Sequence, residues 1–118
     1  MRLDEIDDVQ ISDDAKGARV KFILAYIADR HGSKTIFAAS SAEYHKDILD
    51  GLVLRYIGMD IVPKGGGRML LDEKGRRIFL WGRSNAFGQF DRDTAGSILR
   101  LRYPDFRVLM QEPGRAGA

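Results

Sequence analysis

The chain has 118 residues, 44% of them hydrophobic and 31% charged, with a formal net charge of +2, a profile expected of one soluble domain with a real core over residues 1–118. It has no cysteine and two histidines, which excludes disulfides, thiolate nucleophiles and Cys-built zinc or iron–sulfur sites and leaves too few imidazoles for a His-rich metal site. The mild charge does not by itself indicate nucleic acid and no apolar run reaches membrane-spanning length; Met1–Glu5 carries no apolar leader, so the expected location is cytoplasmic.

Val9-Gln10-Ile11 reads as a short strand and Ser12–Gly17 as a turn. Arg19–Ala28 is the clearest strand: Val20, Phe22, Leu24 and Tyr26 fall on one face, Lys21, Ile23, Ala25 and Ile27 on the other. Asp29–Ser33 is a loop, and Thr35–Ala39 is a second strand that pairs with the first as a hairpin. Ser40 and Ser41 are good N-caps for a helix running to about Gly58, in which Ile48, Leu49, Leu52, Val53, Tyr56 and Ile57 repeat at helical spacing. Met59–Val62 is predicted as a short strand broken by Pro63–Gly67. Arg68–Leu71 and Arg77–Trp81 form a hairpin turned at Asp72–Gly75, and Gly82–Gly88 is a glycine-bounded loop. Asp91–Arg102 is a second helix, with acids in its first turn and arginines in its last. Tyr103-Pro104-Asp105 ends it, Phe106–Met110 is the last strand, and Glu112–Ala118 is expected to be a loose tail. Two helices on a mixed sheet of about six strands make an α+β domain with α/β-type layering.

Four features carry chemistry. His45 begins an apolar-periodic helix, where free N–H groups and the helix dipole attract anions and an imidazole can attack or take a proton near neutral pH. Gly65-Gly66-Gly67-Arg68 allows close backbone approach and adds a guanidinium fork. Arg83-Ser84-Asn85-Ala86-Phe87-Gly88 is a small-residue loop able to form an anion nest, although no P-loop motif occurs. Lys21 interrupts an otherwise apolar strand face. Taken singly, each has a plainer structural reading: a surface histidine, a bulge, a connecting loop, an edge lysine.

Taken together, Ala42-Glu43-Tyr44-His45-x-Asp47-Ile48, Gly65-Gly66-Gly67-Arg68, Gly82-x-Ser84-x-Ala86-x-Gly88 and Tyr103-Pro104-Asp105 resemble the Janus/Ocnus family in order and spacing, from about Val9 to Val108. The resemblance implies a mixed six-stranded sheet with two helices and hydrolysis of phosphohistidine in proteins, without metal or cofactor. The family's essential histidine falls on His45 and its active-site lysine on Lys21. Its phosphate-contacting backbone and hydroxyl groups fall on His45, Lys46, Ser84 and Ala86, and Arg68 matches an arginine of the site. The implied partners are phosphohistidine-bearing proteins, with neither nucleic acid nor membrane, and the implied state is a monomer. Lys46 stands where vertebrate members have a small residue, Asn85 replaces a methionine, and the cysteines those members carry near the glycine run are absent. A capping Ser41 would occupy the His45 amide, whereas the resemblance needs that amide free, so the helix is expected to start nearer His45. The alternative function is a non-catalytic phosphate-binding regulatory module. A nucleic-acid binder is the weaker alternative, because the arginines form no stripe.

Overall fold

The computed structural model describes residues 1–114 and has six strands, β1 (Val9–Ile11), β2 (Val20–Asp29), β3 (Gly32–Ser40), β4 (Asp60–Asp72), β5 (Arg77–Trp81) and β6 (Arg107–Leu109). Two helices, α1 (His45–Arg55) and α2 (Arg92–Arg102), complete it, with short 3₁₀ turns at Leu3–Glu5 and Asp13–Ala15. The strands form one mixed sheet in the order β1-β3-β2-β4-β5-β6, parallel at the two edge pairs and antiparallel between them. This is the expected α+β fold.

The alternation in β2 organises both faces. Val20, Phe22 and Leu24 join Phe37, Met69, Leu80 and the α2 residues Ala95 and Leu99 in one core, where the Phe22 and Phe37 rings stack at 4.6 Å. Ile23, Ala25 and Ile27 join Ile36, Ala38 and the α1 residues Ile48, Leu52 and Tyr56 in the other. Each fully buried Phe, Leu or Ile contributes about 1.5–3 kcal/mol of transfer free energy, so a sheet covered on both faces needs only two short helices. Tyr26, expected with the first core, is 38% exposed, and Val53 and Ile57, expected on the packed face of α1, are also exposed.

Several boundaries differ from the sequence expectation, each for a local reason. The β2–β3 hairpin is tighter: Asp29 Oδ1 accepts the N–H groups of His31 and Gly32, which leaves Arg30 and His31 as the connection. Ser40 and Ser41 do not cap α1. Ser40 Oγ accepts the Ala42 N–H and Ser41 donates to Asp14, so both serines fix the loop and the helix begins at His45. Pro63–Gly67 does not break the chain. Asp60 to Asp72 is one strand, with Gly65 at φ +91° and a register shift opposite Ile23–Ala25. Of β4, only Arg68–Asp72 pairs with β5, so Pro63 lies along a stretch that β5 leaves open, where a missing N–H is tolerated. β6 is shorter than Phe106–Met110. Of the expected tail, Glu112 and the Pro113 carbonyl are bound by Arg19 at 3.0 and 3.2 Å, and residues 115–118 lie outside the described part.

Candidate active site

The triglycine run lets three pieces of chain meet. A Cβ on Gly65 would sit 2.4 Å from the Gln89 carbonyl oxygen, and one on Gly67 2.6 Å from that of Trp81. A Cβ on Gly66 would sit 2.5 Å from the Phe22 carbonyl oxygen and 3.0 Å from Cδ2 of His45. The loop after β5 is therefore pressed against β4, with the Gly66 N–H donating to the Gly88 carbonyl at 3.2 Å, and the His45 ring lies flush on the same strand.

Where the α1 N-terminus, the start of β2, the middle of β4 and this loop converge, they enclose a cavity of about 310 Å³. Lys21 and Arg68, paired across β2 and β4, form one side of it. Tyr44, His45, Lys46 and Asp47 form the second, and Arg83, Asn85 and Ala86 the third. Lys21 is half-buried and shares its strand face with Ile23; α1 covers that face but starts at His45, so the lysine reaches the cavity. Lys46 lines the cavity and forms an exposed i,i+4 ion pair with Asp50 at 3.2 Å.

Backbone amides add hydrogen-bond donors to these side chains. Among the described residues, no acceptor takes the His45 or Lys46 N–H; the helical bonding begins with Asp47 N–H donating to the Tyr44 carbonyl at 3.0 Å. The loop is closed by mutual Ser84–Gly88 backbone bonds and by the Phe87 N–H donating to Ser84 Oγ at 3.0 Å, which leaves the Asn85 and Ala86 amides without an acceptor among the described residues. Ser84 itself is fully buried and does not line the cavity; its hydroxyl shapes the loop that presents the neighbouring amides.

His45 was expected at a partly exposed position, yet only 7% of it is accessible. Its Nε2 lies 2.9 Å from the Gly67 carbonyl oxygen. A carbonyl only accepts, so Nε2 carries the hydrogen and Nδ1 holds the lone pair. Nδ1 has no partner among the described residues, and no buried side-chain nitrogen is left unpartnered there, so this atom keeps contact with solvent. Burial lowers the His45 pKa, and the nearby Lys21 and Arg68 charges lower it further, against the Gly67 hydrogen bond.

Five of the six sequence-predicted residues, Lys21, His45, Lys46, Arg68 and Ala86, therefore meet around one cavity, with Ser84 behind it. His31 lies at the far end of β2 in the exposed hairpin turn. The sequence reading marks the Arg83–Gly88 loop as an anion nest but gives no role to the Gly67 carbonyl, to the Arg83 side chain or to Tyr44. The partner of a single backbone carbonyl has no sequence signature, but the position of Tyr44 beside His45 is a usable signal. Among the described residues, no group of three or more His, Asp or Glu converges as a metal site, and no helix is long and apolar enough to cross a membrane.

Comparison with known proteins identifies the family of the chain. The sequence model of the Janus/Ocnus family matches residues 3–107. The chain is 31% identical over 117 residues to the human 14 kDa phosphohistidine phosphatase, covering 92% of this chain and 93% of that protein. With the pig 14 kDa phosphohistidine phosphatase the identity is 31% over 75 residues, 62% of this chain and 60% of the pig protein. With the sex-regulated protein janus-A of Drosophila yakuba it is 26% over 98 residues, 80% of this chain and 73% of that protein. This chain belongs to the Janus/Ocnus family.

Proposed function

We propose that this protein hydrolyses phosphohistidine in other proteins without a metal, using His45 as nucleophile or general base. The observation that carries the reading is the hydrogen bond from His45 Nε2 to the Gly67 carbonyl, which leaves Nδ1 as the basic nitrogen at a cavity lined by Lys21, Lys46, Arg68 and Arg83 and bordered by four amides with no acceptor among the described residues. A phosphoramidate carries about two negative charges near neutral pH. Lys21, Arg68 and the amides of His45, Lys46, Asn85 and Ala86 hold its oxygens and stabilise the charge that spreads over them in the transition state. In one route Nδ1 attacks phosphorus in line with the substrate P–N bond, the substrate imidazole leaves with a proton, and water then releases phosphate from His45. In the other, Nδ1 takes a proton from the attacking water. Both consume one water, break the substrate P–N bond, return a proton to the leaving imidazole and yield orthophosphate; the covalent route also forms and then hydrolyses a P–N bond on His45. Both place positive charge on the His45 ring, where the Gly67 carbonyl stabilises it.

Phosphate release from a histidine-phosphorylated protein tests the reading. The expected rate is unchanged by EDTA. A loss that a stoichiometric metal restores would overturn the metal-free chemistry, and phosphate binding without release would favour a non-catalytic binding module.

The proposal also sets a pH dependence. Only the neutral ring can act, so kcat/KM falls on the acid side, and the lowered His45 pKa puts that limb below the ordinary histidine value of about 6.5. The same lowering makes His45 a source of stability that is fully present above the unfolded value and lost as the pH falls through the folded one. Bound phosphate favours the cation and moves the pKa up. An NMR titration of the two histidine rings with and without phosphate measures this, and a His45 signal indifferent to phosphate would place the ring outside the anion site.

A further inference from the structure

The first residue of the α1 boundary breaks a local rule. N-cap positions favour Ser, Thr, Asp or Asn, whose side chains accept a free helix N–H. This one is Tyr44, extended at φ −123° and ψ 147°, with no side-chain cap bond. The backbone compensates: the Tyr44 N–H donates to Asp47 Oδ2 at 3.3 Å. The ring is not used for packing either. It is 61% exposed, and among the described residues it has no aromatic or cation–π neighbour, whereas the exposed Tyr26 sits against Lys64. It does line the cavity, where, apart from His45 itself, it is the only aromatic side chain among the described residues. A rule broken at a site's edge without a packing gain points to a ligand contact.

In-line displacement fixes where the leaving group goes. With the amides on the equatorial oxygens, the departing nitrogen lies opposite the attacking atom, on the side of phosphorus away from the buried His45 ring. Tyr44 lines the cavity and is largely exposed, so its ring is available on the open side. We propose that Tyr44 stacks on the imidazole of the departing histidine and so selects an aromatic leaving group over an aliphatic amine or ammonia. This inference rests on the activity proposed above and names the substrate feature that the site reads.

The test compares kcat/KM for a phosphohistidine peptide, a phospholysine peptide of the same sequence and phosphoramidate. Tyr44→Ala is expected to lose about tenfold on the phosphohistidine peptide, the scale of one aromatic pair, and less than about twofold on the other two. Tyr44→Phe should keep the preference. Equal losses on all three substrates, or none, would overturn the proposal, as would a preference that disappears in Arg83→Ala and survives in Tyr44→Ala. Calorimetric binding of two non-hydrolysable phosphonates, one bearing an azole ring and one an alkylamine, separates this from the activity. A ring preference lost in Tyr44→Ala, in a protein that turns nothing over, would sink the phosphatase reading and keep the stacking. Turnover with no ring-dependent effect of Tyr44→Ala would do the reverse.

Discussion

Replacing His45 with alanine is expected to lower phosphohistidine turnover by about 10²–10⁴-fold, the range for loss of a positioned acid–base group. The variant should also be less stable, because His45 is buried and the Gly67 carbonyl loses its donor. An unsatisfied buried acceptor costs about 1–3 kcal/mol. The two effects separate in practice. Circular dichroism and thermal unfolding report the fold, and added free imidazole, entering the space left by the ring, should restore part of the turnover in a folded variant. His31→Ala is the control: its side chain is exposed in a hairpin turn whose geometry comes from the Asp29 carboxylate and the His31 backbone. Wild-type turnover in His45→Ala would remove this residue from the chemistry.

Gly66→Ala is expected to damage both stability and turnover although it adds one methyl group. The new Cβ would lie 2.5 Å from the Phe22 carbonyl oxygen and 3.0 Å from His45 Cδ2, so strand and ring must both give way. Overpacking of this kind costs about 1–3 kcal/mol. A shift of the ring by about 1 Å is enough to lower a rate by roughly 10²-fold. Gly51→Ala, in α1 with no atom within 4 Å of the added Cβ, is the matched control. It should stabilise the helix by up to about 1 kcal/mol and leave kcat/KM unchanged. Thermal unfolding and steady-state kinetics on the pair check both statements. A Gly66→Ala variant that behaves like Gly51→Ala would mean that β4 does not position the histidine.

Period and turn chemistry made much of the fold legible. β2 announces itself through Val20–Ile27, and α2 through Asp91, which caps it by accepting the Thr94 N–H at 2.8 Å. The errors came where tertiary partners override local preference. Ser40 and Ser41 look like caps, but a nearby backbone N–H and Asp14 claim them first. Gly65-Gly66-Gly67 looks like a break, but glycines continue a strand when neighbours on both sides press closer than any Cβ permits. For the site, Lys21, His45, Lys46, Arg68 and Ala86 were legible from their types and from the family resemblance, whereas Tyr44 and Arg83 were given no role. The burial of His45 was not, because it depends on how closely β4 approaches the helix start. Nor was the turning inward of Ser84, which follows from the Phe87 N–H reaching back to it.

β4 also has a mechanical role. The His45 imidazole leans on Gly66 and Gly67, Arg68 follows in the same strand, and the loop holding Asn85 and Ala86 is fastened to the Gly66 N–H. Three consecutive residues thus act as a common mount for the His45 ring, one cation and two of the four amides proposed to hold phosphate. Thermal bending of the sheet carries these parts as one body, so their relative spacing survives motion that would misalign groups anchored on separate elements. Alignment here comes from shared attachment, and under the proposed function the cleft can stay open to a protein substrate without losing it.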